Sequence, residues 1–240
     1  LLYYADTGSF PYGGRSPDEV IELAARATRR LLDHGAGMIV VACNTASTLA
    51  LPALRERFAV PFVGIVPAVK PAGEKTRARR IAVLATEGTT QAAELRALIS
   101  RFGNGADVLC LPAPGLADRV EQGDLTGPET LSLLDRYLAP ARGQGVDVLV
   151  LGCTHYAFLA PAIERMMGAG VAVLEPSDAV ARQAARVAAR AIEPRPSAKR
   201  GRIQYLTSGD PARLRETLDR LRSAGVAVPT GPIAQDEVEL

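Results

Sequence analysis

The feature that most constrains the fold is an internal echo. An apolar run ending in Cys-x-Thr occurs at Val40-Val41-Ala42-Cys43-Asn44-Thr45 and again at Val150-Leu151-Gly152-Cys153-Thr154. Each copy continues into a helical pattern, a second apolar run and a proline. Cys43 to Pro67 is 24 positions and Cys153 to Pro176 is 23. Self-similarity of this kind marks repeated structural units, so the echo predicts two related α/β halves. In open α/β sheets a ligand lies beyond the carboxyl ends of the strands. Two such ends facing one another across a cleft put one thiol on each side of a small ligand. A duplicated scaffold without function would show the same pattern.

The rest of the chain reads consistently, as short apolar runs alternating with longer helical patterns. Strands are expected at residues 1–5, 38–42, 62–66, 81–85, 108–111, 146–151, 171–174 and 203–206. Ser16-Pro17-Asp18-Glu19 is a helix start, with a serine cap, proline in the first turn and acids beside the positive end of the dipole. That helix is expected to run to about Asp33. Others are expected near 47–58, after Thr90, over 128–138 and 179–191, and after Ser208-Gly209-Asp210. A Pro/Ser/Lys-rich linker follows Ala191.

Composition removes several function classes. With 240 residues, 48% of them hydrophobic, the chain can bury one large core or two modest ones. The formal charge of +2 is small and well mixed, so no nucleic-acid partner is expected. No apolar run reaches the ~18 residues of a membrane span. The start lacks a basic-then-apolar leader, so the expected location is cytoplasmic. Three widely spaced cysteines suit a reducing compartment better than a disulfide framework. They lack the CxxC pairing of a structural metal site. Dinucleotide and P-loop fingerprints are missing, and Gly13-Gly14 is too little for a phosphate loop. Lys70, shortly after Pro67, is weak evidence for a pyridoxal Schiff base.

Cys43 and Cys153 each stand where a strand ends and backbone N–H groups of the next turn point outward, a setting that favours a thiolate or a ligand carboxylate. A free cysteine is more often a small buried hydrophobe. The polar neighbours Asn44, Thr45 and Thr154 count against that for these two, whereas Val108, Leu109 and Leu111 support it for Cys110. His155, two residues from Cys153, can tune that thiol or relay its proton. His34 follows a helix end, where a histidine is favourable without any function. Two opposed thiols suit stereoinversion at a carbon acid, which needs a base on one face and an acid on the other. Without an electron sink, the site must stabilise the developing carbanion by positioned hydrogen bonds in a low dielectric.

Val41-Ala42-Cys43-Asn44-Thr45-Ala46-Ser47 and Leu151-Gly152-Cys153-Thr154-His155-Tyr156 resemble the two signature segments of the bacterial glutamate racemase family. Asp6 with Pro11-Tyr12-Gly13 is similar to that family's substrate-contacting loop, Thr86 and Thr89 to its threonine-rich loop, and Tyr205-Leu206-Thr207-Ser208-Gly209 to its late strand. The resemblance implies interconversion of L- and D-glutamate for peptidoglycan, with no cofactor and no metal. It implies Cys43 acting on the D enantiomer and Cys153 on the L, with His155 and Glu121 assisting. Asp6, Pro11, Tyr12, Gly13, Asn44, Thr45, Thr89 and Thr154 become the substrate-binding set, and a homodimer is expected.

The resemblance also implies two α/β domains with mostly parallel sheets facing across a cleft. The first comprises residues 1–67 continued by 177–240, and the second 68–176. Family members open with a further strand and an Asp-Ser-Gly segment, whose counterparts would precede Leu1. On that ground the chain as it stands is expected to turn over weakly or not at all. One alternative is an aspartate racemase or a related two-cysteine racemase, whose second cysteine motif usually carries an acid where this chain has His155. A binding-only role is the other.

Overall fold

The computed structural model of the chain describes residues 1–191 and 201–236; most of the expected Pro/Ser/Lys linker lies outside them. The chain opens with β1 (Leu2–Ala5), a 3-10 turn (Thr7–Ser9) and α1 (Pro17–Asp33). The start of α1 is the reciprocal cap its sequence predicts. Ser16 Oγ accepts from the Glu19 N–H, and the Glu19 carboxylate accepts from the Ser16 N–H at 2.9 Å. At its other end the His34 ring meets the Arg30 carbonyl at 2.9 Å, as expected of a helix terminus.

β2 (Ile39–Val41), α2 (Asn44–Leu49), α3 (Leu51–Arg57), β3 (Phe62–Gly64) and α4 (Val69–Lys75) follow. The single helix expected over 47–58 is two. It starts three residues early because Cys43 serves as its cap, and it breaks at Ala50 because Pro52 brings no N–H to continue the ladder. α4, whose Val69 and Ala72 are fully buried, has no counterpart among the elements expected from the sequence.

Next come β4 (Arg80–Ala85), α5 (Glu87–Gln91), α6 (Ala93–Phe102), β5 (Asp107–Pro112), α7 (Leu116–Glu121), α8 (Pro128–Gly143) and β6 (Val148–Gly152). A 3-10 turn (Thr154–Leu159), α9 (Ala160–Met167), β7 (Ala172–Leu174), α10 (Ser177–Ala191), β8 (Gln204–Thr207), α11 (Pro211–Ser223) and β9 (Ile233–Gln235) complete the order. α8 continues past the expected end at Leu138, through Pro140. An internal proline costs ~3 kcal/mol or more; the buried stripe Leu134, Leu138 and Ala141 offsets it by packing into the core.

All strand pairs are parallel. Four strands form one sheet in the order β5-β4-β6-β7. Its centre, residues 81–85 and 148–152, is buried on both faces, and these continuous apolar runs are what a helix-covered parallel sheet requires. The other strands form a three-stranded sheet β1-β8-β9 and a pair β2-β3. Among the described residues β1 bonds only to β8 and β2 only to β3, so each keeps one open edge. Tyr3 and Val40, on those strands, remain exposed. No helix among the described residues is long and apolar enough to cross a membrane.

Candidate active site

The first cysteine is held by the turn from β2 into α2. Ser47 Oγ donates to the Val41 carbonyl at 2.8 Å and accepts from the Ile65 N–H at 3.0 Å, tying the ends of β2 and β3 to the new helix. Cys43 Sγ then accepts from the Ala46 N–H at 3.5 Å. Burial pushes the Cys43 thiol up to about 11, assisted by the charge of Cys153 and opposed by the N–H groups of Ala46 and Thr45. Cys43 therefore holds its proton at neutral pH, and the two sulfurs lie within electrostatic reach of each other.

The second cysteine follows β6 and is 8% exposed. Its loop is anchored by Tyr156, fully buried, whose hydroxyl donates to the Ala113 carbonyl at 2.8 Å. His155 Nδ1 stands 3.9 Å from Cys153 Sγ, and its Nε2 is 2.7 Å from Glu121 Oε1 at the end of α7. Burial alone would lower the imidazole. The hydrogen bonds and charges of Cys153 and Glu121 outweigh it and raise His155 to about 10. At neutral pH it is an imidazolium between two acids, supplying positive charge beside the sulfur. The Phe10 ring covers it, centroids 5.5 Å apart.

The loop after β1 supplies the adjoining wall. Asp6 accepts from Tyr12 Oη at 2.6 Å, from Ser9 Oγ at 3.1 Å and from Ser208 Oγ after β8. It braces Tyr12, whose own ionisation is driven up by burial and by that bond. The Phe10–Pro11 peptide is cis. Gly13 touches the turn after β4: its carbonyl accepts from the Gly88 N–H at 2.8 Å, and a Cβ on it would lie 2.8 Å from Thr86 Cβ. Beside that contact, Thr45 Oγ1 meets Thr86 Oγ1 at 2.9 Å and Thr89 Oγ1 at 3.3 Å. Thr45 and Thr89 are buried, so this hydroxyl cluster is a seam between β2's end and β4's end.

Asn44 is 3% exposed, and neither its Oδ1 nor its Nδ2 has a hydrogen-bond partner among the described residues. A buried primary amide with both ends free is suited to an amino-acid ligand, which offers both a carboxylate and an ammonium. Thr154, half-buried, opens the turn after Cys153. Cys110 packs with the apolar side of β5, as expected, and Lys70 lies 6.0 Å over the Phe102 ring. Among the described residues no group of acids, histidines and cysteines is arranged to hold a metal ion. Phe10, Ser47, Gly88 and Ser208 carry parts of this architecture that the sequence reading did not assign.

Residues 7–184 match the family model described as Asp/Glu/Hydantoin racemase. A glutamate racemase of Herpetosiphon aurantiacus is 44% identical over 212 residues, 88% of this chain and 84% of that protein. One of Pseudomonas aeruginosa is 48% identical over 194 residues, 80% of this chain and 73% of that one. Among solved structures, the Escherichia coli glutamate racemase in complex with L-glutamate and the activator UDP-MurNAc-ala superposes with a TM-score of 0.84 at 29% identity. It covers 98% of this chain and 87% of that one. The Thermus thermophilus glutamate racemase gives 0.80 at 32% identity, covering 99% and 87%.

Proposed function

Because this chain belongs to the Asp/Glu/hydantoin racemase family, we propose that it interconverts L- and D-glutamate, supplying the D enantiomer for peptidoglycan, through Cys43 and Cys153. The observation that carries this reading is the pair of cysteines at two strand ends, Cys43 half-buried and capping α2, and Cys153 buried and flanked by an imidazolium. For the L enantiomer, the Cys153 sulfur takes the α-proton as thiolate. The Cys43 thiol then delivers its own proton to the opposite face, leaving the pair reversed for the D enantiomer. His155, braced by Glu121, balances negative charge at Cys153, and Phe10 keeps water from that contact.

Asn44 is the principal partner of the substrate's α-carboxylate and ammonium, with Thr154 and the Tyr12–Gly13 backbone beside it. Asp6 acts through Tyr12, and Pro11 shapes the same loop. Thr45 and Thr89 hold the seam that closes the cleft. The pairing of β8 and β9 with β1 supports a first domain of residues 1–67 and 177–240, of which 192–200 and 237–240 lie outside the described residues. The sheet of β4 to β7 supports a second domain of 68–176. The same reading carries a cytoplasmic homodimer. Cys43→Ser and Cys153→Ser test it. Each is expected to lower racemisation of glutamate at least ~10³-fold while leaving the fold intact, because an alcohol in place of the thiol is far too weak an acid for the exchange. Turnover within tenfold of wild type in either variant sinks it.

A further inference from the structure

Glu121 is the last residue of α7, so its carbonyl and that of Gln122 are among the helix-end acceptors with no partner of their own in the helix. Their donors come from another sheet's helix. Thr217 Oγ1 donates to the Glu121 carbonyl at 3.2 Å, and Arg220 Nη1 donates to the Gln122 carbonyl at 3.1 Å. Thr217 and Arg220 are three apart on α11, whose apolar side, Leu214 and Leu218, packs with Ala5 and Tyr205 of β1 and β8. The next residue fits the same contact closely. Gly123, at φ +73°, has Arg220 Cδ 2.8 Å from where its Cβ would stand. A side chain there would push the two elements apart.

Resting on the racemase reading above, we propose that Thr217 and Arg220 are positioning residues: by clasping the end of α7 from α11, they hold the Glu121 carboxylate against His155. The clasp joins the β1-β8-β9 sheet to the proton chemistry at Cys153, so seating the two halves on each other and charging the imidazole become one event. Neither residue touches substrate. Their effect reaches Cys153 only through Glu121 and His155.

The chain has two histidines, so both imidazoles can be followed by NMR titration of the whole protein. Among the described residues, the groups facing His155 are Glu121, Cys153 and the Phe10 ring. Thr217→Val removes one donor at nearly constant volume, Arg220→Met removes the other, and Thr217→Ser keeps the hydroxyl. The expected result is a His155 midpoint lowered by about 1 to 3 pH units in the first two, the span an adjacent carboxylate accounts for. Thr217→Ser stays near wild type. A His155 midpoint unmoved in folded Thr217→Val and Arg220→Met overturns the proposal. A protein that exchanges no α-hydrogen of glutamate would instead sink the racemase reading, without altering what the titration says about the clasp.

Discussion

Glu121 Oε1 and His155 Nε2 meet at 2.7 Å, joining the last residue of α7 to the turn that follows β6. The contact fixes the imidazole so that its other nitrogen faces Cys153, and Cys153 and Glu121 together keep the ring charged against its burial. A group whose native pKa is raised contributes stability that is complete below its unfolded value, near 6.5 for histidine. That stability is lost as pH rises through the native value, here about 10. The thermal midpoint is therefore expected to fall steadily between about pH 6.5 and 10, and Glu121→Gln to flatten the fall. A wild-type profile that is level across this window contradicts the charged-imidazole account.

Asn44 is a buried amide that the proposed site would use to hold its substrate. A buried polar group without a partner costs ~1–3 kcal/mol, and both ends of this amide lack one. Asn44→Ala is expected to raise the thermal midpoint slightly while raising KM for glutamate ~10- to 100-fold, the loss of one or two charge-assisted hydrogen bonds. Calorimetry and steady-state kinetics on the same preparation check both halves. An unchanged KM removes Asn44 from the site.

The Gly13–Thr86 approach leaves no room for a methyl group. A Cβ on Gly13 would stand 2.8 Å from Thr86 Cβ, an atom every residue but glycine carries, whereas a Cβ on Gly14 meets nothing within 4 Å. Gly13→Ala is expected to cost ~1–3 kcal/mol of overpacking, read as a lower thermal midpoint and at least tenfold slower racemisation. Gly14→Ala serves as the neutral control. Equal behaviour of the two variants would show that the seam is not tight.

Phe10 acts on the imidazole by contact alone. Ring contacts of this kind contribute ~0.5–1.5 kcal/mol beyond the area they bury, so Phe10→Ala is expected to lower kcat roughly two- to tenfold. Phe10→Leu should recover part of the loss by excluding water. A kcat unchanged in Phe10→Ala would mean that solvent at His155 is harmless.

Much of this arrangement was legible in the residues because local chemistry and long-range placement agree. The reciprocal cap at Ser16 and Glu19 predicts the start of α1 by itself. The strand ends at Cys43 and Cys153 follow from apolar runs that stop at polar residues. The break at Ala50 was missed because helical periodicity spans it and only Pro52 disagrees. α7, which carries Glu121, was missed because six residues between glycine-rich turns give no period to read. Phe10 and Ser208 act through contacts made across long loops or between segments some 200 residues apart, for which a single sequence holds no local signal. The division of the first half's strands into β1-β8-β9 and β2-β3 likewise depends on pairings between distant segments.

Inversion of glutamate's α-carbon by proton exchange between Cys43 and Cys153 is read by incubating the reduced protein in deuterated water with L-glutamate, D-glutamate or L-aspartate. Incorporation accumulates over hours, so the measurement reads even slow turnover. The expected result is α-deuterium in both glutamate enantiomers and decay of their optical rotation to zero. Neither is expected with aspartate, and racemisation of glutamate is expected to be lost in Cys43→Ser and in Cys153→Ser. Exchange into aspartate without exchange into glutamate, or undiminished racemisation in the cysteine variants, would contradict inversion of glutamate by the two cysteines.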